Sequence, residues 1–337
     1  MILITGGSGF IGSNFIHYWF NKNNQDHLLN IDLLTYASNQ ENLRKFEGSE
    51  LYFFEKGSLN DEKFLERILR KYQPEAIINF AAESHVDNSI ESPKSFIDTN
   101  VVGTFNLLES SRKYFLNLDK SQKARFRLIH VSTDEVYGSL TTEDKPFTEN
   151  NQYKPNSPYS ASKAASDHLV RAYFKTFKLP CITTNCSNNF GPYQFPEKLI
   201  PLSIKNALLG NKINIYGDGL NIRDWLYVED HCDAIFSVLN DGIIGETYNI
   251  GGKNELTNIQ LVKRICEYLD YKVPKKVGSF ADQIEFISDR PGHDKRYAIN
   301  SAKIESHLGW KPKHSFDEAI VKTIDWYIYN KDDFLLK

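Results

Sequence analysis

Short apolar runs recur along the first half of the chain, each stopped by glycine or by small and polar residues. They read ILIT (2–5), HLLNID (27–32), LYFFEKG (51–57), AIINFAA (76–82) and FRLIHVS (126–132). Between the third and fourth runs, Asp61 to Tyr72 places Phe64, Leu65, Ile68, Leu69 and Tyr72 on one helical face. Short apolar strands alternating with amphipathic helices predict a parallel sheet covered on both sides. Right-handed crossovers make that sheet doubly wound, with ligands at the carboxyl ends of its strands.

Beyond LPCITTNCSNN (179–189), which predicts a sixth strand, the alternation loosens. GPYQFPEKLIP (191–201) and PKKVGSFADQ (274–283) read as loops. Two later helices carry capping-box starts, Thr257 with Gln260 and Ser315 with Glu318. The expected fold class is therefore α/β: a doubly wound, Rossmann-type parallel sheet with a smaller, mixed α/β C-terminal lobe for substrate. Residues 1–180 form the expected dinucleotide domain, with 227–252 folded back onto it. Residues 181–226 and 253–337 form the expected lobe.

Composition narrows the function classes. The 337 residues suffice for two domains, and 41% hydrophobic with 25% charged residues is ordinary for a globular chain. A net charge of −3 with no basic block argues against a nucleic-acid partner. No apolar run approaches the ~18 residues of a membrane span, and MILITGG begins directly with a strand, so a cytoplasmic protein is expected. Cys181, Cys186, Cys232 and Cys266 show no metal spacing and the histidines no paired spacing, so no metal is expected.

ITGGSGFIGSNF (4–15) follows the first strand and opens a helix. Gly7, Gly9 and Gly12 satisfy G-x-G-x-x-G, and Gly6, Gly9 and Gly12 the related G-x-x-G-x-x-G. Such a turn brings backbone N–H groups and a helix N-terminus against a pyrophosphate. Asp32, at the end of the second strand, lies 20 residues past Gly12. Its carboxylate would accept from a ribose hydroxyl and repel a 2′-phosphate, which favours NAD over NADP.

Tyr159 and Lys163 stand at i and i+4 of a predicted helix, 157–178. A free phenol, with a pKa of about 10, is a weak base at neutral pH, but a nearby ammonium favours the phenolate. Tyr159 would then take a proton from a sugar hydroxyl, with Thr133 hydrogen-bonded to the same group. The fifth run ends at Thr133-Asp134-Glu135. Adjacent acids at a strand end form a turn, or they divide the work of giving and taking a proton, because neighbouring carboxylates split their titrations.

Together the glycine turn, Asp32, Thr133 and the Tyr159/Lys163 pair resemble the extended short-chain dehydrogenase/reductase family, which acts on nucleotide sugars. Longer stretches carry the resemblance to its 4,6-dehydratase branch, which acts on dTDP-glucose: AAESHVDNSI, VSTDEVYG, PYSASKAASDHL, CSNNFGPYQFPEKLIP, YGDGLNIRDWLYVEDH, GETYNIGG and DRPGHDKRYAIN. Epimerases and decarboxylases of the group generally lack the adjacent Asp-Glu. The resemblance implies that Tyr159 takes the O4 proton as C4 yields hydride to NAD. Glu135 then removes the C5 proton and Asp134 protonates the departing C6 hydroxyl, with Lys163 supporting Tyr159. Hydride returns to C6, giving a 4-keto-6-deoxy sugar on the way to deoxysugars such as rhamnose in surface polysaccharide.

The resemblance also implies contacts. Gly6, Gly9, Phe10, Ile11, Gly12, Asp32, Leu33, Thr35, Ser58 and Leu59 would hold the dinucleotide from one side. Phe80, Ala81, Ala82, Glu83, Thr99, Tyr159, Lys163 and Asn189 would hold it from the other. Ser84, Thr133 and Asn188 would meet the sugar diphosphate. Lys198, Leu199, Asn214, Ile215, Tyr216, Arg223, Asn258, Asp289, Arg290 and His293 would cradle the nucleotide, with guanidinium groups matching the phosphates. A homodimer is implied through helices near 93–116 and 157–178; Phe96, Ile97, Val101, Phe105 and Leu108 of the first serve either that interface or the sheet.

Four positions depart from the family pattern. Ser58 and Phe190 replace a common Asp and Tyr, and Asn88 and Asn185 replace common arginines. The residues also leave open a 4,6-dehydratase acting on another nucleotide sugar, such as UDP-glucose or a UDP-amino sugar, and a catalytically silent nucleotide-sugar binder.

Overall fold

The computed structural model describes residues 1–22 and 25–335. Its strands, in chain order, are β1 (Ile2–Thr5), β2 (Leu28–Asp32), β3 (Tyr52–Lys56), β4 (Ala76–Asn79), β5 (Arg127–Thr133), β6 (Cys181–Cys186), β7 (Asn188–Phe190), β8 (Ile213–Tyr216), β9 (Ile222–Tyr227), β10 (Thr247–Ile250), β11 (Glu255–Thr257) and β12 (Ile284–Ile287). Seven of them form one parallel sheet in the order β10-β6-β5-β4-β1-β2-β3. The apolar runs explain it: β1, β2 and β4 are buried throughout, as central strands covered on both faces must be. The chain order reverses between β1 and β4, and there the carboxyl ends open a crevice.

Helices cover both faces. Phe10–Asn21 packs with Val228–Asp241 on one side, and Glu62–Tyr72 with Thr104–Leu116 on the other. The Glu62–Tyr72 helix buries Phe64, Leu65, Ile68 and Leu69, and the Asp61 carboxylate caps it by accepting from Phe64 N–H at 3.0 Å. The expected helix over 93–116 is not uniform. It runs as Pro93–Phe96, a widened π-type stretch Ile97–Gly103, and Thr104–Leu116. The widening serves Asn100, whose side chain turns inward to exchange hydrogen bonds with the Glu83 backbone, 2.9 and 3.0 Å, and donates to Ser162 Oγ at 2.8 Å.

The boundary expected at residue 180 cuts through the sheet. β6 pairs with β5 and β10 along its length, so the main domain extends through Cys186. Its buried alternation-free sequence, CITTNC, makes it a central strand rather than a lobe element. The chain then enters the smaller lobe and returns with Val228–Asp241 and β10. The lobe holds the sheets β11-β9-β7 and β12-β8 around a core of Phe190, Ile204, Trp225, Leu261, Ile265, Phe316 and Ile324. Both expected capping boxes form, at Thr257/Gln260 and Ser315/Glu318. Two stretches read as loops contain helix: Leu199–Leu209 begins inside the first, and Phe280–Gln283 makes a short turn in the second. The expected lobe's last two residues lie outside the described residues.

The turn after β1 is built on close backbone approaches. Gly6 has φ +69°, and a Cβ on it would lie 2.7 Å from Ala81 Cα; one on Gly12 would lie 2.3 Å from Gly6 O. Gly12→Ala is therefore expected to destabilise the protein by about 1–3 kcal/mol, read as a lowered melting temperature by calorimetry.

Candidate active site

The catalytic candidates converge where β5 ends. Thr133 Oγ1 accepts from Glu135 N–H at 3.3 Å and caps a short helical turn, Asp134–Tyr137. The turn sends the two acids different ways. Glu135 lines a cleft of ≈ 330 Å³ at the sheet's switch point, whereas its neighbour Asp134 is 1% exposed. Ser157 and Pro158 start the helix Pro158–Phe177 through a capping box with Ser160, which places Tyr159 and Lys163 on the same cleft.

Burial and charge then separate these groups. Burial foremost, then Glu135 and Asp224, pushes the Asp134 carboxyl well above its ordinary range, and Arg223 only partly opposes this. A carboxyl shifted in this direction is the better proton donor of the pair. Burial also raises Glu135, but Arg290, Lys198 and Arg223 all pull it back toward ionisation. Tyr159 is driven well above its usual value by burial and by Glu135. Lys163 is lowered by burial and partly restored by Asp167, and its Nζ donates to Val131 O at 2.8 Å. The sequence expectation that the ammonium favours the Tyr159 phenolate meets a stronger opposing effect here, desolvation of the phenol itself.

Every residue expected at the dinucleotide lines this cleft: Gly6, Gly9, Phe10, Ile11, Gly12, Asp32, Leu33, Thr35, Ser58, Leu59, Phe80 to Glu83, Thr99, Tyr159, Lys163 and Asn189. Asp32 also organises its own wall. It accepts from Ser8 N–H at 2.9 Å, Leu34 N–H at 2.8 Å and Ser38 Oγ at 2.9 Å, and so holds Leu34 at φ +60°. One acceptor site on its Oδ2 is left for a ribose hydroxyl. Ser58 Oγ accepts from Asn60 N–H at 3.1 Å, and its own hydroxyl proton remains to donate.

The substrate candidates fall into two groups. Ser84, Thr133, Asn188 and Lys198 line the cleft, and Lys198 Nζ donates to Ser84 O at 2.7 Å. Leu199, Asn214, Ile215, Tyr216, Arg223, Asn258, Asp289, Arg290 and His293 lie outside its lining. Within this second group, Arg290 and Tyr216 both contact Asp87, each at 3.2 Å, and His293 Nδ1 meets Asp289 Oδ1 at 2.6 Å. Arg223 donates to the Ile222 and Asp294 carbonyls at 2.7 and 2.9 Å and lies over the Tyr297 ring. The side chain of Ile215 is packed in the lobe core, because alternation along β8 turns it away from Asn214 and Tyr216.

The departures from the family pattern have local partners. Asn88 donates to Tyr36 OH at 3.2 Å. Asn185 is fully buried and donates to Thr133 O at 3.0 Å and Asp167 Oδ2 at 3.2 Å. Phe190 packs among Trp225, Tyr227 and Phe316, where a hydroxyl would need a partner. Sequence reasoning missed Ser38, Asn60, Ser132, Cys186, Ser187 and Glu197, which also line the cleft. For Ser132 and Cys186 a signal existed: both sit at carboxyl ends of central strands. Among the described residues no helix is long and apolar enough to cross a membrane, and the four cysteines are free and buried.

The chain is similar to known proteins along almost its whole length. The chain is 54% identical to dTDP-glucose 4,6-dehydratase 1 of Escherichia coli K12, over 98% of this chain and 93% of the relative. The structure of dTDP-glucose 4,6-dehydratase from Bacillus anthracis in complex with NAD superposes with a TM-score of 0.86 at 46% identity, covering 98% and 97% of the two chains. That of DesIV, the dTDP-glucose 4,6-dehydratase of Streptomyces venezuelae, superposes with a TM-score of 0.89 at 41% identity, covering 98% of each. The model of the GDP-mannose 4,6-dehydratase family matches residues 3–323, and the chain belongs to that family.

Proposed function

We propose that the protein catalyses the NAD-dependent 4,6-dehydration of dTDP-glucose to dTDP-4-keto-6-deoxyglucose, as a cytoplasmic homodimer that supplies deoxysugars such as rhamnose. The observation that carries this reading is the adjacent acid pair. Asp134 is buried, with burial, Glu135 and Asp224 pushing it toward its protonated form, while Glu135 faces the cleft with three cations drawing it toward ionisation. An epimerase needs only the hydroxyl base, whereas loss of water across C5–C6 needs both a proton taker and a proton giver.

The residues fit a bound dinucleotide: Gly6, Gly9 and Gly12 line the cleft, the close backbone approaches of Gly6 and Gly12 hold the turn tight, and Asp32 offers a free acceptor. NAD, when bound, supplies a hydride acceptor for C4 and the same hydride for C6. The chain's own groups do the proton work. Tyr159 takes the O4 proton, which the C4 ketone requires. Glu135 takes the C5 proton, made acidic by that ketone. Asp134 gives its proton to the C6 hydroxyl, which leaves as water, and C5 is protonated again. Lys198, Arg223 and Arg290 hold the diphosphate and keep Glu135 a base.

The test is NMR of the protein with dTDP-glucose, UDP-glucose or an unrelated nucleotide sugar in deuterated water. A 4-keto-6-deoxy product labelled at C5 and formed fastest from dTDP-glucose is expected. Product from UDP-glucose alone would change the substrate, an unlabelled C4 epimer would remove the dehydration, and no product would leave a silent binder.

The dimer rests on an apolar strip. Ile97, Val102 and Phe105 on one helix and Phe177 on the neighbouring one are each more than 40% exposed, while Phe96 and Leu108 are buried in the subunit. Such a strip is costly in water and inexpensive against its own copy. Phe105→Glu is expected to yield monomers by light scattering at concentrations where the parent is dimeric. Free, buried thiols suit a reducing compartment.

A further inference from the structure

Tyr159, Lys163 and Asp167 occupy i, i+4 and i+8 of the helix Pro158–Phe177, so they share one face. Tyr159 and Lys163 reach the cleft, and Asp167 stands one turn behind them at 3% exposure. A carboxylate buried so deeply must be hydrogen-bonded and charge-compensated. Its Oδ2 accepts from Tyr153 OH at 3.0 Å and from Asn185 Nδ2 at 3.2 Å. Its Oδ1 lies 3.3 Å from His130 Nε2, and neither atom makes a hydrogen bond. His130 is held in turn by Asn79 at 3.1 Å, and Asn79 by Thr5 at 2.6 Å, so a polar chain runs from beside the glycine turn to Asp167.

His130 is the weaker candidate for a compensating cation. Burial and the neighbouring Lys163 depress its proton affinity, and Asp167 opposes them only in part. The other groups facing this point cannot supply a positive charge: they are the phenols of Tyr137, Tyr153 and Tyr159, raised by burial, and the Cys186 thiol, pushed up to about 12. Lys163 stands one turn before Asp167 on the same helix face, and Asp167 offsets part of what burial takes from its proton affinity. The same Asn185 amide that donates to Asp167 also donates to Thr133 O at 3.0 Å, where the Asp134–Glu135 turn departs.

Resting on the dehydratase reading above, we infer that Asp167 is a positioning residue of the reaction: it compensates the buried Lys163 ammonium and, through Asn185, fixes the Thr133 carbonyl at the origin of the acid turn.

The first test compares Asp167→Asn with Tyr153→Phe, which removes a hydrogen bond and leaves the charge. With dTDP-glucose, Asp167→Asn is expected to lower kcat about 10–100-fold with KM within about threefold. Its alkaline limb is expected to move to lower pH by about one unit, because Lys163 sheds its proton more readily without the anion. Tyr153→Phe is expected to keep the limb in place. A profile for Asp167→Asn that is lowered but parallel to the parent's would overturn the inference.

The second test needs no turnover, so it stands if the substrate reading fails. In a double-mutant cycle read by thermal unfolding, Asp167→Asn is expected to cost less in a Lys163→Met background than in the parent. Should Asp167→Asn alone not fold, the double variant is expected to recover a folded protein. Equal costs in both backgrounds, or a double variant no better folded than the single, would show that Asp167 and Lys163 are not a compensated pair.

Discussion

Asp134→Asn is expected to abolish dehydration while leaving the protein folded and the earlier proton steps intact. Burial, Glu135 and Asp224 push the Asp134 carboxyl toward its neutral form, which an amide of the same shape mimics without adding charge. Asp134 Oδ2 has no hydrogen-bond partner, and the packing around it changes little. The melting temperature should therefore stay close to the parent's. The chemistry changes completely, because an amide cannot deliver a proton to the C6 hydroxyl. Product formation should fall by about 10²–10⁴-fold, the range for a lost general acid. Tyr159 and Glu135 remain, so C4 oxidation and C5 exchange continue in reverse as well as forward. In deuterated water the recovered dTDP-glucose should carry deuterium at C5 without any 4-keto-6-deoxy product, measured by proton NMR. Normal turnover by this variant would remove Asp134 from the mechanism.

That Asp134 and Glu135 share a strand end was legible in the sequence, as were β1 to β6, the glycine turn and Asp32, because each depends on spacing within a short segment. Their division of labour was not. It arises from how the capped turn after Thr133 sets Glu135 in the cleft lining and leaves its neighbour Asp134 almost fully buried. Arg223 and Arg290, which act on Glu135, come from the far lobe. The widened helix at Ile97–Gly103 escaped for the same reason: Asn100 looks like an ordinary helix residue until its partner Glu83 is known. CITTNC was legible as a strand, but its place inside the main sheet, past the boundary expected at 180, depends on β5 and β10, which only the fold brings beside it. Asp167 was within reach, since it continues the i, i+4 series of Tyr159 and Lys163 by one turn. Its meaning depends on Asn185 and Tyr153, which only the fold brings to it.

Glu135→Gln is expected to stop the reaction one step earlier. A glutamine accepts no proton from C5, so both C5 exchange and product formation should fall by about 10²–10⁴-fold, whereas Asp134→Asn spares the exchange. The contrast between the two variants separates taker from giver without relying on rate alone. The acid limb of kcat should report Glu135 in the parent. Burial raises its proton affinity, so activity is full above its pKa and is lost as the pH falls through a value above that of a free glutamate. Arg290, Lys198 and Arg223 hold that limb down, with Arg290 the strongest of the three. Removing Arg290 leaves burial less opposed and raises the pKa further. Arg290→Ala, measured at saturating dTDP-glucose to offset its weaker binding, is therefore expected to shift the acid limb to higher pH. Glu135→Gln should show no acid limb of that origin at all. A limb that stayed in place in Arg290→Ala would mean that another group governs it, and the assignment of the C5 base would pass from Glu135 to that group.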